Sequence, residues 1–398
     1  MKKYVSFLLA LTLVLAMLAG CAQKSSEPQT ASPSQNTEAA VETEKQEDEP
    51  EAANETLEAE PAEETPATRT VTDLQGRTVE VPATVERVAA LGSAARMLTY
   101  AGFADKIVGC TDLEKQGNYG MPYAYVNRDL FAACSSVSSG GSGDTLYTEE
   151  LTILELDVIF YFGADADTLN DLQAQLEVPV IGLYASNFYD EDFFQTLRVI
   201  GEVMGQEDHV ENVVSSIQGW IEDLDARTRD IPEEEKPTVY TGALGFRGAH
   251  GFEGTSAQFP PFVAVHANNV VDETGESGTM LIDLEKVAVW DPDYIFLNPG
   301  SMYLVNEDYS VNSAFYDNLT AVQEGRVFSM VSYNYFWSNQ ELAIIDAYYV
   351  GTIIYPEAFA DVVFEEKAEE IFRVMLGQDY LQVLEENGDG FGTLIIGE

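Results

Sequence analysis

One periodic segment constrains this chain more than any other. Between Glu207 and Asp230, the residues Val210, Val213, Val214, Ile217, Ile221 and Leu224 recur at helical spacing, with charge on the opposite face. That is a single long amphipathic helix. It ends at Pro232, before the run Glu233-Glu234-Glu235-Lys236. Short apolar runs alternate with helical patterns on both sides of it. Before it, Val88–Leu91 reads as a buried strand, Gly92-Ser93 as a turn, and 94–101 as a helix closed by Gly102. Lys106–Cys110 is a second strand, 147–162 a helix and then a strand, and 178–184 another strand. After the long helix come strands at 237–244, 268–273 and 293–300, with a helix at 283–291. Helices at 340–355 and 365–387 close the chain. Strand, helix and parallel strand at this spacing make βαβ units.

The expected fold is therefore α/β. Two Rossmann-like lobes, 69–206 and 232–398, each hold a central sheet, and one stiff spine helix, 207–231, joins them. A body of this length is more than one core usually serves. A small hairpin at 70–82, turning at Gln75-Gly76, opens the first lobe. Ligands of such sheets sit beyond the C-terminal strand ends, so two facing lobes would enclose one cleft.

Residues 1–21 have the order of a secretory signal: Lys2 and Lys3, an apolar run from Val5 to Leu18, then small residues before Cys21. The apolar run is too short for a spanning helix, which needs about 20 residues. Residues 22–68 are rich in Glu, Ala, Pro, Ser and Thr, with acids far outnumbering Lys24 and Lys45. Such a stretch buries too little apolar surface to offset its ordering entropy, and reads as a disordered acidic tether.

The chain carries 68 acidic residues against 20 Lys and Arg, a net charge of −48. That excludes nucleic acid as a natural partner, because binding it requires neutralised phosphates. Cys110 and Cys134 are the cysteines of the body. They either pair in an oxidising exterior or stay as buried thiols. No Walker loop, HExxH pair, nucleophile elbow or cysteine–metal spacing is present, so the sequence points away from an enzyme.

The loops that follow strands supply candidate ligand contacts. In the first lobe these are Ser93, next to Gly92, and Tyr119 and Tyr123 in the segment 111–125. In the second lobe the glycine-rich stretch 243–255 frames Arg247 and His250. Arginine's planar fork fits carboxylates and oxyanions, and histidine is a common metal ligand. Tyr333 and Tyr335 follow the strand 326–331 and are expected to face the cleft, with Phe336 turned inward.

Several of these stretches together resemble a known family. The opening "VTDLQGRTVEVPATVERVAALG", the helix-then-strand "TEELTILELDVIF", the spine, and "IDLEKVAVWDPDYIFL" are similar to the helical-spine substrate-binding proteins of ABC importers for iron-siderophores, haem and vitamin B12. The likeness spans nearly all of 69–398. "LAGC" at 18–21 resembles the lipobox of bacterial lipoproteins, which implies acylation of Cys21 and a lipid anchor outside the cytoplasm. The resemblance implies a monomer that delivers its cargo to a membrane permease with a cytoplasmic ATPase. It implies that Glu149 (or its neighbour Glu150) and Glu285 dock on the permease. It also implies a cargo that is an iron chelate, with haem, a corrinoid or a molybdate-type oxyanion as alternatives, and no resident cofactor. A surface-anchored hydrolase, or a sensor lipoprotein without a transporter, remains the alternative of another class.

Overall fold

The computed structural model describes residues 67–398 except Ser142 and Asn187. The leader, Cys21 and the tether up to residue 66 lie outside the described residues. The antiparallel hairpin comes first, β1 (Thr68–Thr72) against β2 (Thr78–Pro82). Asp73 holds its turn, accepting from the backbone N–H groups of Gln75 and Arg77 at 3.0 and 2.9 Å. The other carboxylate oxygen accepts from the Gly182 N–H at 3.0 Å, which fastens the hairpin to the sheet behind it.

The first sheet contains β3 (Val88–Leu91), β4 (Ile107–Thr111), β5 (Ser135–Ser138), β6 (Val158–Phe162) and β7 (Val180–Leu183). All are parallel, in the order β5-β4-β3-β6-β7. Every residue of β3 and β7 is buried, because helices cover both faces. Helix α1 (Ala94–Tyr100) follows β3, and α2 (Thr148–Ile153) leads into β6. Helix α3 (Glu191–Met204) ends on the left-handed Gly205 and hands the chain to the spine, α4 (Glu207–Thr228). At 22 residues the spine is about 33 Å long. It buries Val210, Val213, Val214, Ile217 and Leu224 of the predicted stripe, adds Trp220 and Thr228, and leaves Ile221 half-buried.

The second sheet is built from β8 (Thr238–Gly242), β10 (Asn268–Asn269), β12 (Tyr294–Leu297), β13 (Val327–Ser329) and β14 (Gly392–Thr393), in the order β10-β8-β12-β13-β14. Its strands are parallel except β14. A separate antiparallel ribbon pairs β9 (Gly254–Ala257) with β11 (Gly278–Leu281). Helices α5 (Leu284–Trp290), α6 (Met302–Asp317), α7 (Gln340–Ile354) and α8 (Phe364–Leu376) complete this half. The fold is the α/β arrangement expected, with parallel central sheets before and after one long helix.

Three details differ from the sequence reading. The segment 268–273 is a strand only at Asn268–Asn269. Asn269 then turns the chain by accepting from the Val271 N–H, and a 3-10 helix runs Val270–Thr274. The closing helix 365–387 is broken at Gly377, whose φ of +82° ends α8 before a short helix at Leu381–Glu386. The β9–β11 ribbon and α6 carry no clear period and escaped notice. Helix α7 is buried on nearly all sides, and its Glu341 and Asp346 are wholly buried carboxyl groups.

Candidate functional site

Two neighbouring cavities open beyond the C-terminal ends of the strands. The first has a volume of about 460 Å³. From the first half of the chain it is lined by Ser93 after β3, Arg96 of α1, Phe162 at the end of β6, and Phe188 beyond β7. From the second half come Ser256, Gln258, Ser277, Thr279, Tyr333 and Trp337. Gly92 shapes its inner end. It has φ +64°, and a Cβ there would fall 2.3 Å from the Phe162 carbonyl oxygen, so the turn into α1 passes too close to β6 for any side chain.

Arg96 is the only charged residue lining this cavity among the described residues. It is fully buried, and its guanidinium lies 4.6 Å over the Tyr123 ring. Its Nη2 donates to the carbonyl oxygens of Tyr335, at 3.2 Å, and of Phe336. Among the described residues its Nε and Nη1 have no hydrogen-bond partner, and neither does the buried Ser93 hydroxyl. Unpaired buried donors cost about 1–3 kcal/mol each, and these three belong to two residues that line the cavity.

The segment 332–339 forms a strap between the two halves. The Asn339 N–H donates to the Tyr333 carbonyl at 2.8 Å, and Asn334 bridges to Ser338. Phe336 and Trp337 are consecutive bulky residues with φ +49° and +67°. Left-handed backbone at such residues costs about 1–3 kcal/mol each and persists only where surroundings enforce it. Here Arg96 grips the carbonyls, and the Trp337 ring stands edge-on to Phe162 at 5.5 Å. The strap's end is tied down as well. Asn339 Nδ2 donates to the Gly120 carbonyl at 3.0 Å, and the Gln340 N–H donates to Tyr100 OH at 3.2 Å.

Beyond the strap lies the second cavity, about 590 Å³, with Asn334 in the wall of both. Tyr119, Arg247, Asn298, Tyr335 and Asp389 line it, together with the backbone of Gly245, Gly248 and Gly300. Arg247 stands exposed at φ +52° and makes no ion pair or side-chain hydrogen bond among the described residues. Burial, helped by Asp389, holds the Tyr119 hydroxyl above its usual range.

Beneath Arg96 lies a buried polar network. Tyr100 OH donates to Glu341, and Tyr123 OH donates to Glu114 at 3.1 Å. Burial pushes both carboxyl groups up to about 7, against the lowering effect of these hydrogen bonds and of Arg96. Burial also pushes Asp346 well above the carboxylate range.

The structure thus brings Ser93 and Tyr333 to one cavity and Tyr119, Arg247 and Tyr335 to the other. It keeps two expected contacts out of both. Tyr123 is wholly buried, with its ring taken by Arg96 and its hydroxyl by Glu114. His250 closes its own loop, with Nε2 2.9 Å from the Phe246 carbonyl and its ring 4.2 Å from the Phe246 ring. Phe336 is partly buried against the core, Tyr335 is exposed, and Trp337, the last aromatic of the same run, is a wall residue of the first cavity. Arg96 was missed too. Its signal was a lone charge in the otherwise uncharged helix "AARMLTY".

Glu149 and Glu285 sit exposed in the first turns of α2 and α5, each just ahead of a buried strand, as does Glu150 beside Glu149. Cys110 and Cys134 are free, buried thiols. No group of three or more His, Cys, Asp or Glu is placed to hold a metal ion among the described residues.

The periplasmic binding protein family matches residues 87–333, more than half of the chain. The chain is a periplasmic binding protein. Solved structures of the same fold cover this binding protein broadly at low identity. A periplasmic solute binding protein from Veillonella parvula is 19% identical with a TM-score of 0.65, over 81% of this chain and 97% of that one. The molybdate periplasmic binding protein MolA of Haemophilus influenzae, solved with molybdate, is 19% identical with a TM-score of 0.58, over 78% and 99%. CeuE of Helicobacter pylori, solved with Ni(II), is 15% identical with a TM-score of 0.54, over 80% and 99%. A search of curated protein sequences found no match. Binding proteins of this family take up small ligands outside the cytoplasm and work with an ABC permease and its ATPase.

Proposed function

We propose that this binding protein captures an anionic metal complex, an iron chelate of the siderophore or haem type, and passes it to an ABC importer. One observation carries the reading: among the described residues Arg96 is the sole charge lining the 460 Å³ cavity, fully buried, with two guanidinium nitrogens unpartnered, in a chain of net charge −48. A buried cation with free donors selects an anion, because charge-assisted hydrogen bonds in a desolvated site are the strong ones. The other lining groups are hydroxyls, amides and aromatic rings, which suit an organic chelate and not a bare cation. Arg247, Tyr119 and Tyr335 form the outer part of the same cleft. The hydroxyls of Ser93, Ser256, Ser277, Thr279 and Ser338 also suit a tetrahedral oxyanion, which keeps molybdate as the second reading.

Cys21 carries the lipid anchor, and the acidic stretch that follows it, ending before β1 begins at Thr68, is the tether. Glu149, or Glu150 beside it, and Glu285 are the docking acids. Charge-matched docking of this kind governs orientation and association rate.

The test is a thermal-shift screen of the full-length protein against ferric catecholate and hydroxamate chelates, haem, cobalamin and molybdate. One anionic class is expected to raise Tm by a few degrees at saturation, about 2.7 kcal/mol at a hundred times Kd. Arg96→Gln is expected to remove that shift. A shift from a neutral or cationic ligand, unchanged in Arg96→Gln, overturns the reading. Glu149→Arg with Glu285→Arg is expected to abolish uptake by cells while leaving the thermal shift intact.

A further inference from the structure

Cys110 lies in the buried strand β4, and Cys134 caps the helix that leads into β5. The two strands are parallel neighbours, with Cys110 in register with Ser136. Each thiol reaches a carbonyl in the other's segment. The Cys110 thiol donates to the Phe131 carbonyl at 3.8 Å, while Cys134 Sγ lies 3.4 Å from the Leu130 carbonyl and 3.1 Å from that of Ile107. This pair plays no part in either cavity, yet it brackets the segment 111–133. That segment supplies Glu114, Tyr123 and the Tyr119 wall of the outer cavity.

We propose that Cys110 and Cys134 are a redox modification site, a dithiol that low-molecular-weight disulfides outside the cytoplasm convert reversibly to an intramolecular disulfide. The proposal rests on the extracytoplasmic location, where disulfides persist. The roles of the two sulfurs follow from their surroundings. Lys115 lies beside Cys134, its ammonium donating to the Cys134 carbonyl at 2.7 Å and to Ser136 Oγ at 3.0 Å. The neighbouring Cys110, aided by this ammonium, holds the Cys134 thiol below its ordinary range against the effect of burial. Cys134, then burial and the nearby Glu114, push Cys110 upward. Cys134, which keeps some exposure and lies beside Lys115, is the attacking sulfur, and the fully buried Cys110 is the resolving one.

The step balances. The Cys134 thiolate attacks one sulfur of RSSR, forming a mixed disulfide and expelling RS⁻. Cys110 gives up its proton, and its sulfur attacks Cys134 Sγ and expels the second RS⁻. The two protein thiols lose two electrons and RSSR gains them as two RSH. The product closes a covalent ring around 111–133, which removes loop entropy from the unfolded chain and stiffens the outer cavity's first wall.

The experiment uses the full-length protein and oxidised glutathione, with no ligand, so its outcome is separate from that of the uptake reading. After incubation over a range of oxidised to reduced glutathione, free thiols are alkylated and peptides are mapped by mass. A Cys110–Cys134 linked peptide is expected, reversed by dithiothreitol, with Tm higher by several degrees in the oxidised form. Alkylation of both cysteines at the most oxidising ratio overturns the proposal, and so does a glutathione adduct on Cys134 that never resolves. Cys110→Ser is expected to accumulate that adduct on Cys134, whereas Cys134→Ser is expected to leave Cys110 unmodified. The reverse pattern overturns the assignment of roles.

Discussion

Arg96 and Phe336 stand 240 residues apart, yet Arg96 Nη2 donates to the Phe336 carbonyl oxygen across the two halves of the protein. The bond joins a helix of the first half to the strap of the second, and it crosses the floor of the cavity.

Arg96 serves two tasks that a substitution can separate. Arg96→Lys keeps the charge but loses the fork that reaches both the strap carbonyls and the cavity. We expect ligand affinity to fall by about ten- to a hundredfold, the loss of one or two charge-assisted hydrogen bonds. Isothermal titration with the chelate found in the screen measures it. An affinity within twofold of the parent would remove Arg96 from the site.

Stability should fall as pH rises. Glu114 and Glu341 titrate near 7 in the fold and near 4.5 unfolded, because burial disfavours their charged forms. The folded state thus holds protons that the unfolded state releases. The benefit is complete below about pH 4.5 and is lost through about pH 7, at most about 3 kcal/mol for each group. Asp346 acts in the same direction. Glu211, Asp225 and Asp361, held low by their hydrogen-bonded partners, act in the opposite direction, but only below that window. Tm should therefore decline between pH 5 and 8, and Glu341→Gln should flatten part of that slope. A Tm that climbs over the interval would refute this.

Gly92→Ala should be among the most damaging single changes. It adds a Cβ 2.3 Å from the Phe162 carbonyl at a left-handed residue. Either the turn opens or β3 and β6 separate at the cavity. A cost of about 2–4 kcal/mol is expected, read as a lowered urea midpoint. A loss under about 0.5 kcal/mol would mean the turn relaxes freely.

Trp337→Gly tests the strain in the strap. Relief of about 1 kcal/mol of left-handed backbone strain should offset the loss of about 1 kcal/mol from the Phe162 edge contact. Tm should move by no more than about 2 °C, while the chelate-induced shift shrinks because the cavity loses a wall. A large drop in Tm would show that Trp337 anchors the fold instead.

Much of the architecture was legible in advance because it is written in short-range periodicity. The stripe from Val210 to Leu224 could only be a helix with one buried face, and β3 and β7 could only be strands covered on both sides. Weakly periodic elements such as β9, β11 and α6 left no such trace. The site was legible only by position. Ser93, Arg247 and Tyr333 follow strand ends, where a cleft must lie. Tyr123 and His250 meet the same criterion, yet their partners turned out to be Arg96, Glu114 and Phe246.

By itself, then, the sequence determined the two sheets, the rod between them and the loops that face the gap, since hydrophobic spacing and turn residues act over a few positions. Only the tertiary structure decided which side chains own that gap. Among the described residues Arg96 became the one charge of the inner cavity, and Cys110 came to lie beside the segment of Cys134, because burial and pairing depend on what distant segments place alongside, and spacing along a chain does not encode that.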